Sequence, residues 1–266
     1  MCIVRLCGKE KMRRREKFVL SSIILSLGLL SVQYVALDWR YVAVALFTVL
    51  AFFVSAWALS DDLQRIEWLT IIPLPSLYAC AVGSFYFLLP ESILSRFFNL
   101  ALFGFGMYAL YLTSNIYSVA KGRTIQLLHA AHAIGLLFTL LTSLLFLNTI
   151  FSSRLPFYFN GLLVGIIHFP LIFLCLWSVT LEHKIQPRII HLSAILTLFM
   201  VELAIIFSFL PLSVWNIALF LMSFLYMSLG ILQSYLQERL FQNTLMEYSV
   251  VAGFVCILFF ILLPLK

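Results

Sequence analysis

The chain has 266 residues, of which 63% are hydrophobic and 11% charged, with a formal net charge of +6. An average soluble domain has about 45–50% apolar and about 25% charged residues, so a core surrounded by water cannot account for this composition. Charge-free runs long enough to cross a bilayer, about 20 residues, recur along the chain, and no alternation of apolar and polar residues marks strands.

Only helices and closed barrels satisfy their backbone groups in lipid, so the sequence predicts an all-α, polytopic integral membrane bundle. Interruptions by charge, Gly and Pro place about nine transmembrane helices, at 18–37, 41–59, 68–89, 97–118, 124–147, 158–180, 189–210, 213–234 and 248–265. Residues 1–17 form a basic cytoplasmic tail and 18–266 a single transmembrane helical domain.

The tail contains "KEKMRRREKF". Basic residues resist translocation, which keeps such a tail on the cytoplasmic side. They also attract anionic lipid of the inner leaflet, by about 1 kcal/mol for each residue near the surface. The apolar run that follows is too long for a signal peptide and lacks a small-residue cleavage site, so it reads as a retained helix. Met12 offers a second start, which would remove Cys2 and Cys7. With the tail inside, Arg65, Lys121, Arg123, Lys184, Arg188 and Arg239 also fall inside. Only Arg40, Arg96, Arg154 and Lys266 fall outside. This predicts a cytoplasmic N-terminus, an outside C-terminus and a multi-pass protein of the cell membrane. The expected surroundings are the lipid bilayer and membrane-protein partners. The net charge sits mainly on the tail, so no nucleic-acid partner is expected.

The third span opens on "TIIPLPSL", where Pro73 and Pro75 imply either a tolerated kink near a helix end or a loosened gate. On the fifth span, Gln126, His129, His132, Leu136, Thr139 and Ser143 follow steps of three and four and form one stripe. On the sixth, Gly161, Gly165 and His168 share a face that permits close helix packing, and Pro170 leaves the Ile166 carbonyl without its usual donor. The seventh carries His191 and Glu202 on one face, and the eighth a seam of Asn216, Ser223, Gly230 and Ser234. Trp39, Trp68 and Trp215 fall where an aromatic belt meets the interfaces. Cys80, Cys175 and Cys256 lie in apolar spans, and no disulfide framework or zinc motif is present.

A carboxyl group in hydrocarbon needs a partner or a proton, and the helical rise supplies a candidate. Glu202 sits about 20 Å, and His168 about 18 Å, from the cytoplasmic ends of their spans. His132 and His129 follow at about 12 and about 8 Å. The sequence thus predicts a Glu202–His168 pair continued by His132 and His129 as a binding or proton-relay series. The plainer alternative is polar glue between helices, worth roughly 0.6–2 kcal/mol for each contact. No catalytic motif or phosphate-binding loop appears, no metal set is assigned, and the cofactor is left unknown. The expected function is a small-molecule or ion carrier with a buried Glu/His site. The alternatives are a non-catalytic scaffold subunit of a membrane complex, or a haem- or metal-dependent membrane enzyme using His132 and His168.

Overall fold

The computed structural model describes residues 13–36, 39–60, 67–89, 93–119, 127–181, 186–238 and 241–262. Outside these lie Arg5, Lys9, Lys11, Met12, Arg65, Lys121, Arg123, Gln126, Lys184, Arg239 and Lys266, which carried parts of the sequence argument. The regular elements among the described residues are all helices: α1 Arg14–Gln33, α2 Arg40–Leu59, α3 Glu67–Thr70, α4 Pro73–Tyr86, α5 Ile93–Val119, α6 Leu127–Ser152, α7 Phe157–Thr180, α8 Pro187–Ser208, α9 Val214–Leu236 and α10 Gln242–Leu262. Long runs of Leu, Ala, Phe and Ile leave the backbone no better way to satisfy itself in an apolar medium.

Eight of the described segments are long and apolar enough to cross a membrane, and the protein is a multi-pass helical membrane bundle. The predicted ninth span coincides with helix α10, whose apolar stretch among the described residues, Leu245–Leu258, is shorter than the eight spans. The third span differs from the simple expectation. It is broken into α3 and α4 by a turn at Ile71–Ile72. Pro73 and Pro75 then occupy the first turn of α4, where the missing N–H groups would have had no intrahelical acceptor. Pro170 does not break α7.

The packing repeats a connectivity that the sequence did not disclose. α1 packs on α2 and α5, and α2 and α5 both pack on α4, closing one up-and-down ring. α6 packs on α7 and α9, and α7 and α9 both pack on α8, closing a second ring. There are two main apolar cores: one around Phe103, Met107 and Tyr111, which also takes in Ala131, Phe138 and Trp177 from α6 and α7, and one within the second ring around Leu196, Met200 and Leu221. The rings meet mainly where α4 and α5 face α6, and α10 lies against α9. There Gly230 leaves room for the Tyr248 ring, which a Cβ would overlap. The bundle's proximal face is the end bearing Arg14, Val119, Leu127 and Thr180; the distal face bears Gln33, Arg40, Tyr86 and Ser152.

Candidate functional site

At the junction of the two rings, toward the proximal face, a cavity of about 20 Å³ is enclosed by α3, α4, α5, α6 and α7. That is room for about one water molecule. Its polar lining is Thr70, Thr113, Ser114, Tyr117, Thr139 and Ser178, together with the Cys175 sulfur. Thr70 and Ile71 reach it because the third span breaks there, so the break opens onto the chamber. Gly135 lets the Tyr117 side chain cross α6, since a Cβ at that position would collide with the Tyr117 hydroxyl.

The hydrogen bonds give this chamber a definite polarity. Tyr117 donates to the Ala131 carbonyl at 2.8 Å, Thr113 to Ala109 at 2.9 Å, Thr139 to Gly135 at 2.9 Å and Ser178 to Cys175 at 2.8 Å. A hydroxyl that donates to backbone keeps its oxygen lone pairs. The chamber therefore offers acceptors and suits a cation, an ammonium group or another donor.

Two predicted histidines flank this region. His132 donates from Nε2 to the Ser178 carbonyl at 2.8 Å, and its ring centre lies 5.7 Å from that of Tyr117. Its other nitrogen, Nδ1, is buried without a hydrogen-bond partner among the described residues. His168 is fully buried, donating from Nδ1 to the Val164 carbonyl at 3.0 Å. In the neutral ring, Nε2 then accepts the Ser143 hydroxyl across the α6–α7 contact at 2.8 Å. His168 thus has no free ring nitrogen to offer a metal. Among the described residues no three His, Cys, Asp or Glu side chains are grouped to hold one.

Beyond His168, Ala81, Phe146 and Leu171 form an apolar plug between α4, α6 and α7. On its distal side lies a second cavity of about 330 Å³ between α2, α4 and α6, lined by Arg40, Cys80, Ser84, Thr149, Ser152 and Ser153 among others. Arg40 donates to the Tyr41 hydroxyl at 2.7 Å and lies 4.7 Å from that ring's centre, which fixes the guanidinium at the rim.

The remaining predicted residues divide. Gly161 and Gly165 face α8, where a Cβ would come within 2.9 Å of Ile205 and 3.1 Å of Val201 respectively, so the close approach is real. The α6 stripe runs inward through Thr139 and Ser143, while His129 at its proximal end is exposed. Glu202 does not join His168. It is exposed on α8, and among the described residues it has no hydrogen-bond or ion-pair partner. The reason is geometric: Val201 and Ile205 occupy the contact with α7, and the next position turns away from it.

The sequence reading missed Thr113, Ser114 and Tyr117. Their signal was present, because Leu110, Thr113, Ser114 and Tyr117 fall at the zero, third, fourth and seventh positions of one helical face. It also missed Arg40, which read only as a loop charge.

Residues 20–262 match the model of the family described as protein of unknown function (DUF5656), and the chain belongs to that family. No curated protein and no solved structure matches it.

Proposed function

We propose that this member of the DUF5656 family is a carrier for a monovalent cation or small amine. In this reading it sits in the cell membrane with the basic proximal face toward the cytoplasm, and it works by rocking one helical ring against the other. The observation that carries the reading is the acceptor-lined chamber at the ring junction, opened by the break between α3 and α4. Transport sites characteristically lie between repeated units, beside interrupted helices. The distal cavity would be the opposite mouth, and Ala81, Phe146 and Leu171 the closed gate between the two. In this reading His132, which is bonded to the carbonyl of the chamber residue Ser178, passes the proton.

The test is charge displacement in proteoliposomes on a supported membrane, with Na⁺, K⁺, NH₄⁺ and a set of primary amines applied in turn. At least one should give a saturable signal. Tyr117→Phe and Thr139→Val should reduce it about tenfold, the effect of losing a charge-assisted contact, with unchanged detergent melting. No signal for any of these solutes, or signals in both variants equal to that of the unaltered chain, would remove the chamber from the function.

A further inference from the structure

Glu202 stands on the outward side of α8, with Ile195, Leu198, Phe199, Ile206 and Phe209 exposed around it. At 100° per residue these positions form one stripe, and Glu202 lies near its centre. The inward side of the helix is fixed by buried Leu196, Met200 and Ala204 and by the contacts of Val201 and Ile205 with the α7 glycines. Glu202 cannot turn inward without unpacking that side. It lies about 22 Å from the proximal end of α8 and about 9 Å from the distal end, inside the hydrocarbon, and its side chain is too short to reach the interface from there.

We infer that this face of α8 is the docking surface for a transmembrane helix of another protein, carrying a lysine or arginine at the depth of Glu202. A carboxyl group exposed to lipid is costly, and such groups characteristically pair. Charge complementarity then identifies the occupant. In a second copy of this chain, residues of equal depth would meet, which requires an outward-facing cation on the described spans. The one candidate near that depth is Arg96, and it does not qualify. Its guanidinium lies 5.7 Å from the centre of the Tyr34 ring, well around α5 from the exposed stripe of Ile93, Leu94, Phe97, Phe98 and Phe105. Lipid amines lie in the headgroup layer, above the carboxyl. A partner helix bearing its own cation supplies both the charge and the apolar cover.

The experiment uses the full chain in phosphatidylcholine vesicles, labelled for energy transfer to synthetic Leu/Ala transmembrane peptides. One peptide carries a single Lys placed to match Glu202 and the other has Leu at that position. A photo-cross-linking residue stands at Leu198 in one preparation and at Phe105 in another. The Lys peptide should associate about tenfold more tightly than the Leu peptide and be captured at Leu198 but not at Phe105. Glu202→Leu should erase the difference, and because Glu202 makes no bond among the described residues that variant should keep its helical circular dichroism. Equal binding of the two peptides to the unaltered chain would overturn the inference. So would a Lys preference that survives Glu202→Leu, or capture at Leu198 of only lipid or a second copy of the chain. The carrier reading would stand in each case, because none of these outcomes touches the chamber.

Discussion

The bond between Ser143 and His168 decides whether the deepest histidine holds helices together or moves protons, and a double-mutant cycle reads it directly. The two side chains join α6 to α7 at 2.8 Å, and His168 is fully buried. Ser143→Ala would leave Nε2 without its donor. His168→Leu would remove the ring, while the freed Ser143 hydroxyl could turn to the Thr139 carbonyl one turn back, as Thr142 and Thr139 turn to Phe138 and Gly135. The first substitution leaves an orphan and the second does not, so the single effects should differ although they break the same bond. Interhelical hydrogen bonds in membranes average about 0.6 kcal/mol, with a maximum near about 1.7, so the coupling should fall in that interval. The assay is reversible unfolding of the unaltered chain, both single variants and the double variant in mixed detergent. Effects additive to within about 0.3–0.5 kcal/mol would mean that the bond contributes nothing. Full stability of His168→Leu with loss of uptake would refute the structural role outright.

Gly161→Ala should destabilise by about 1–3 kcal/mol through overpacking, because its Cβ would lie 2.9 Å from Ile205 Cγ1. Gly253→Ala meets nothing within 4 Å and should be neutral or slightly stabilising in the same melting experiment; equal effects at the two positions would mean that the α7–α8 approach is looser than described. A topology reporter inserted near Lys121 and another fused after Lys266 should lie on opposite sides of the membrane. Finding both on one side would mean that α10 does not cross.

Much of the fold was legible because hydrocarbon leaves so few choices. Span length and charge interruption placed α1, α2 and α5 to α9 without reference to tertiary contacts, and the small-xxx-small step of Gly161 and Gly165 marks the two positions where an added Cβ would crowd Ile205 and Val201. The break between α3 and α4 was half legible. Pro73 marked the position, but whether the chain turned before it or kinked through it depended on what lay beside it, and that is the chamber. The pairing of Glu202 with His168 failed for a reason that periodicity cannot supply. Depth along a helix is read from residue count, but facing is read only against neighbours. Nothing in the residue pattern indicated that Val201 and Ile205, rather than Glu202, would fill the space left by the glycines. The closed rings were illegible for the same reason, since nothing in a run of Leu and Phe says which of its flanks meets the first helix and which the fourth.

How each polar group is satisfied separates the interior from the α8 surface. Serine and threonine are inexpensive inside a membrane, because each can return its proton to the carbonyl one turn back and needs no partner helix. In the chamber Thr113, Thr139 and Ser178 do so, which leaves their oxygen lone pairs available. Histidine asks for more, and His168 meets the demand with one bond within α7 and one to α6. Glu202 has neither remedy. Its side chain offers no return to its own backbone in a helix, and among the described residues no helix covers its side of α8. The chamber and the α8 face are thus built from different elements, so the chamber should function in purified protein and Glu202 should matter only when its partner helix is supplied.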